Sequence, residues 1–127
     1  MTNSRTHLFA LQAEICKTLA DTNRLLILHL LRAGEMSVGQ IVNSLALPQS
    51  NVSHHLGILR DKSIVLTRRQ GTTVYYRLAD ERIAAACDLV REVLKGRIDR
   101  HQKLAGSLPG AGANGPATIQ ITRTQRP

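Results

Sequence analysis

The chain has 127 residues, with 17 Lys and Arg against nine Asp and Glu for a net charge of +8. That is the length of one compact domain, and the basic excess points to an anionic partner, nucleic acid before membrane, with simple solubility as the plain alternative. No apolar run approaches the roughly 20 residues of a membrane span, and the opening MTNSRTH has no signal-peptide core; a cytoplasmic chain is expected, with Cys16 and Cys87 as free thiols.

Leu8, Leu11, Ile15 and Leu19 recur at helical spacing, flanked by Phe9 and Cys16, and predict a first helix. Asp21 suits the cap of a second. Its run LLILHLL, residues 25–31, is apolar almost all round, as for a helix at the centre of a core, and His29 within it is expected to pack. Gly34 breaks the pattern. Ser37, followed three residues later by Gln40, forms a capping box for a short third helix bearing Val38, Ile41, Val42 and Leu45. After the turn LALP, Pro48 opens a fourth helix with Val52, Leu56 and Leu59 facing inward.

The fourth helix contains adjacent histidines in QSNVSHHLGILR, residues 49–60. Each helical residue advances about 100° around the axis, so His55 falls near the buried stripe while His54 falls on the far side with Ser50, Gly57 and Asp61. Neighbours in sequence do not share a helix face, which argues against a chelate from this pair. Near the helix start the outward face presents Gln49, Ser50, Ser53 and His54, hydrogen-bonding side chains without acid, suited to base edges and phosphates; a merely solvated face is the alternative.

Two β-rich runs follow around RQGT and predict a hairpin. Val74, Tyr76 and Leu78 alternate with Thr73, Tyr75 and Arg77, and the tip carries Arg68, Arg69, Gln70 and Thr72, short of any carboxylate. Two short helices with a tight turn, followed by a basic hairpin, make a coherent surface for the major groove and the backbone beside it. From about Asp80 a last helix carries Ile83, Cys87, Val90 and Leu94 on one stripe; Gly96 is a place for it to bend or end, and Ile98 and Leu104 beyond the glycine offer a continuation through a polar stretch prone to fray. Residues 106–127 hold seven Gly or Pro and no acid, and read as a flexible tail behind a folded domain of residues 1–105.

LADTNRLLILHLL, SVGQIVNSLALPQSNVSHHLGILRDKSIV and RRQGTTVYYRLAD together resemble the ArsR/SmtB family of bacterial winged-helix repressors, over roughly residues 8–95. The resemblance implies a mainly α winged helix-turn-helix with a small β-hairpin, dimeric through its first and last helices. It further implies a sequence-specific regulator that binds a double-stranded operator with an inverted repeat as a homodimer and is released by a signal. Gln49, Ser50, Ser53 and His54 match the recognition helix of such proteins, and Arg68, Arg69 and Gln70 the wing. Pro48 departs from the pattern, since many relatives place a small polar cap there.

Metal-sensing relatives often carry a Cys-x-Cys pair where this chain reads GQIVNSLA, or histidines on the last helix where this chain has none between Asp80 and Arg100. No cofactor or metal is therefore expected, although Asp99 and His101, with His7, form a weak ligand set. Cys16 and Cys87 have two readings, small packing residues or a thiol switch at the dimer interface. No Gly-rich phosphate loop, Gly-x-Ser-x-Gly elbow or HExxH motif occurs, so an enzyme is not expected. The alternative from another class is a winged-helix module that binds a protein partner or RNA.

Overall fold

Local chemistry sets the helix starts in the computed structural model, which describes residues 3–107. Asn3 caps α1 (Ser4–Leu19), its side chain accepting from the Thr6 N–H at 2.8 Å. Asp21 caps α2 (Thr22–Leu31) by accepting from the N–H groups of Asn23 and Arg24. Ser37 and Gln40 close the expected capping box at the start of α3 (Val38–Leu45): the Gln40 N–H donates to Ser37 Oγ at 3.2 Å and the Ser37 N–H to Gln40 Oε1 at 2.9 Å. Two N–H groups without partners inside the helix are thereby satisfied.

Ala46 then takes a left-handed conformation, φ 54, and reverses the chain. Such a φ is costly for a residue with a Cβ, of order 1–3 kcal/mol, and the Ala46 N–H donating to the Val42 carbonyl at 2.8 Å helps to hold it. Pro48, with φ already at −58, leads directly into α4 (Gln49–Asp61). The hairpin strands β2 (Val65–Gln70) and β3 (Thr73–Leu78) pair antiparallel around Gly71, whose φ of +62 the turn requires.

One strand was not expected. In this numbering, which places it ahead of the hairpin, β1 (Met36–Ser37) pairs with β3, Met36 opposite Tyr76 and Ser37 opposite Tyr75, giving the sheet order β1-β3-β2. Two residues are too few to show alternation. The last helix, α5 (Glu81–Ser107), runs through Gly96, the continuation past Ile98 and Leu104 rather than an end at the glycine, and reaches two residues into the segment read as a tail. A single glycine weakens a helix interior by only about 1 kcal/mol. Residues 108–127, the rest of that tail, lie outside the described residues.

The architecture is a winged helix-turn-helix, mainly α with a small antiparallel sheet, as the sequence leads one to expect. A division between Ala85 and Ala86 separates two compact units. The first holds the core: Ile27, Leu28 and Leu31 of α2, Ile41 of α3, Val52, Leu56 and Leu59 of α4, Ile64, Val65 and Leu78 around the sheet, and Ala84 at the start of α5. Only part of α2 is enclosed, and His29 is exposed rather than packed. It lies about 200° around the helix from Ile27, and Leu26 on the neighbouring side is 42% exposed as well. Along α1, Ile15 and Leu19 pack on the core, whereas Leu8, Phe9 and Leu11 are exposed. In the second unit Leu89, Val90 and Val93 of α5 are exposed too.

The burial of α4 can be tested directly. Leu56→Ala should destabilise the domain by about 2–5 kcal/mol, and Ser53→Ala by no more than about 0.5 kcal/mol, read from denaturant unfolding. Comparable losses in the two variants would contradict this helix phase.

Candidate nucleic-acid interface

Val52, Leu56 and Leu59 are fully buried, so the opposite side of α4 must face solvent. Gln49, Ser50, Ser53 and His54 are all exposed there, brought together on one helix as the spacing predicts. Asn51 is exposed beside them; the sequence reading passed over it, although an amide able to donate and accept is well suited to an adenine edge. Pro48 leaves the helix without a side-chain cap. The first N–H groups of α4 and the positive end of its dipole are thus available to a phosphate.

His55 turns inward and is 8% exposed. Its Nδ1 accepts from Arg24 Nη1 at 3.2 Å, so the neutral ring carries its proton on Nε2. Arg24 also donates through Nε to the Thr18 carbonyl at 2.6 Å, and Asp21 Oδ1 lies 3.9 Å from His55 Nδ1. The end of α1, the start of α2 and the middle of α4 are thereby tied together. Burial pushes the His55 imidazole below the ordinary histidine value; Asp21 opposes this, and the charges of Arg24 and His54 add to it. Burial also opposes ionisation of Asp21, but the Arg24 N–H, the His55 imidazole and the Arg24 guanidinium outweigh it and hold the carboxyl below its usual range. The two histidine rings meet edge to face, centroids 5.4 Å apart.

On the wing, Arg68 and Arg69 are adjacent and differently engaged. Arg68 is bound by a carboxylate after all: Glu35, just ahead of β1, accepts from its Nη2 at 2.6 Å and from its Nε at 3.1 Å. Hydrogen bonds from Arg68 hold Glu35 below the usual carboxylate range, and Glu35 in turn raises Arg68. The sequence reading missed this carboxylate because 33 residues separate the partners. Arg69 is exposed and has no hydrogen-bond or ion-pair partner among the described residues. Gln70 is exposed at the end of β2, its Oε1 accepting from Arg68 Nη1 at 2.8 Å.

Cys16 is exposed on α1 and Cys87 half-buried on α5, in different units. His7, Asp99 and His101 are exposed, and no three His, Cys, Asp or Glu side chains gather into a metal-binding set among the described residues. No helix among them is long and apolar enough to cross a membrane.

Residues 21–66 match a family described as bacterial regulatory protein, arsR family. The chain is 32% identical over 108 residues to the arsenical resistance operon repressor of Escherichia coli, covering 84% of this chain and 92% of that one. Among solved structures, a homodimeric winged helix-turn-helix DNA-binding domain of Mycobacterium bovis is similar with a TM-score of 0.69 and 32% identity, over 80% of this chain and 94% of that chain. Reduced HlyU of Vibrio cholerae is similar with a TM-score of 0.64 and 33% identity, over 72% and 97%.

The buried histidine behind this surface should make stability depend on pH. Because the folded-state pKa of His55 lies below its unfolded value of 6.5, the unfolded chain binds the proton more tightly, and stability is lost as pH falls below about 6.5. His55→Gln, which keeps an acceptor for Arg24 but does not titrate, should flatten this dependence. Urea midpoints between pH 7.5 and 5.5 check it; an equal acid loss in the variant would place the titration elsewhere.

Proposed function

Since the chain belongs to the arsR family of bacterial regulatory proteins and is a DNA-binding transcriptional regulator rather than an enzyme, we propose that it acts in the cytoplasm as a homodimeric repressor. It holds an inverted-repeat operator and releases it in response to a signal. The observation that carries this reading is the exposed, acid-free start of the outward face of α4, from Gln49 to His54, set against a fully buried opposite stripe. Gln49, Ser50, Ser53 and His54 read base edges in the major groove, while Arg69 and Gln70 place the wing along the backbone.

Dimerisation is supported by the apolar side chains that each copy leaves exposed, Leu8, Phe9 and Leu11 on α1 and Leu89, Val90 and Val93 on α5, and by the homodimeric relative from M. bovis. A second copy that covers them sets two recognition helices at a fixed separation, which matches a two-fold symmetric site. Sedimentation should give a dimer at micromolar concentration, and footprinting of the chain's own promoter region should protect two half-sites about 10 base pairs apart or a multiple of that. His54→Ala should reduce base discrimination by about 1–3 kcal/mol at one position per half-site. A monomer with full affinity overturns the symmetric reading, and a preference for single-stranded RNA or a protein partner over duplex replaces it with an interaction module.

The exposure of Cys16, together with a similar regulator solved in a form named as reduced, favours a thiol-based signal. Oxidation or a thiophilic ion at Cys16 and Cys87 alters the packing of the helices that carry them, and with it the spacing of the recognition helices. Peroxide, polysulfide or arsenite should then release DNA from the wild type but not from Cys16→Ser with Cys87→Ser. Undiminished release from the double variant, or none from the wild type, leaves these cysteines as packing residues.

A further inference from the structure

Three observations on the outer face of the sheet converge on Arg68. Glu35 stands at one edge of the sheet, next to β1, and Arg68 on β2 at the other, so their ion pair reaches across β3. Beneath it lies Tyr75, the cross-strand partner of both Arg68 and Ser37, with the guanidinium carbon 4.7 Å from the ring centroid. The third guanidinium nitrogen, Nη1, donates to Gln70 Oε1. Every nitrogen of Arg68 is thus committed within the protein, as is one face of its plane.

Side chains alternate along a strand. Arg68 shares its face with Leu66 and Gln70, whereas Arg69, paired with Val74, lies on the face that carries buried Val65 and Leu78. This second face covers the core into which α4 packs. Of these two adjacent arginines one is therefore committed and one open, on opposite sides of the sheet, while Arg77, opposite Leu66, is exposed on the Arg68 side. The committed one leads back to the recognition unit, because Glu35 is two residues from Ser37, which is both the end of β1 and the cap of α3.

We propose that Glu35 and Arg68 are a positioning pair for DNA binding: the pair, laid over Tyr75, fixes the wing relative to the helix-turn-helix, and of the two adjacent arginines Arg69 is the one that contacts phosphate. The inference rests on the DNA-binding reading above and assigns different tasks to two arginines that sequence alone treats alike. A planar fork bound to a carboxylate and stacked on a ring cannot be replaced by a lysine, whereas a phosphate contact tolerates one far better.

The test is fluorescence anisotropy of a mixed-sequence 30-base-pair duplex (on the order of three helical turns) against salt concentration. Arg69→Ala should flatten the log–log salt slope by about 0.9 per protomer, and Arg69→Lys should restore it. Arg68→Gln and Arg68→Lys should each weaken binding several-fold while leaving the slope unchanged. Glu35→Gln should weaken binding to the same degree, and Glu35→Gln with Arg68→Gln no further than either alone. A slope flattened by Arg68→Gln and restored by Arg68→Lys makes Arg68 an ordinary phosphate contact and overturns the proposal. So does tighter binding with a steeper slope in Glu35→Gln, since Glu35 then merely masks a cation. A wild type that fails to bind the duplex at all refutes the DNA-binding reading instead, and the positioning role with it. The Arg68 Nε–H resonance should be protected from exchange in the wild type without DNA and lose that protection in Glu35→Gln; an unprotected signal in the wild type overturns the clamp without reference to DNA.

Discussion

The orientation of α4 is set by three side chains with no solvent exposure, Val52, Leu56 and Leu59, and most of what this protein can present to a partner depends on that. Their burial removes apolar surface from water, worth roughly 1.5–3 kcal/mol for each side chain. Rotating the helix by one residue, about 100°, would expose them and turn Ser53 and Arg60 in one direction, or Asn51 and His54 in the other, into the core without partners, which is unfavourable on both counts. The exposed face is therefore a rigid consequence of the core. A recognition surface gains from that rigidity, because side chains already held in place lose less freedom on binding.

Arg24 extends the same constraint beyond α4. Its guanidinium cannot accept a hydrogen bond, so by pointing at His55 Nδ1 it fixes the tautomer of a buried ring, and by donating to the Thr18 carbonyl it satisfies a group at the end of α1. Burial keeps His55 neutral near physiological pH, which spares the interior a second cation beside Arg24. Lys62, the residue that ends α4, adds an ion pair to Glu14 at 3.3 Å, but both partners are largely exposed and such pairs contribute little to stability. Of these two polar links, the one through Arg24 is the less exposed to solvent.

The sequence disclosed the features whose causes are local. The capping box at Ser37, the cap at Asp21, the phase of α4 and the hairpin at Gly71 each depend on residues within a few positions, and each is found in the structure. Features that depend on distant partners were hidden. His29 and Leu26 lie in a run apolar enough for a central helix, yet periodicity does not reveal how many sides of a helix its neighbours cover. Leu8 and Leu11 continue a perfectly regular stripe beyond the last core residue able to receive it. The bond between Glu35 and Arg68 spans 33 residues, and neither residue carries a local signature of it. The exposed side of α4 was thus legible but for Asn51, whereas on the wing the residue types were legible but their division into a committed and an open cation was not.

That division follows from geometry alone. Two neighbours in a helix point about 100° apart and two neighbours in a strand about 180° apart, so a doubled residue on either element is automatically split between two environments. His54 and His55 are split into an exposed ring and a buried one; Arg68 and Arg69 into a cation matched by Glu35 and one open to solvent. In each pair the inner or committed member anchors the element, through Arg24 in one case and Glu35 in the other. The other member is left exposed at a fixed place. Substituting either half of such a pair changes a different property, and the likeness of the two letters in the sequence is no guide to which.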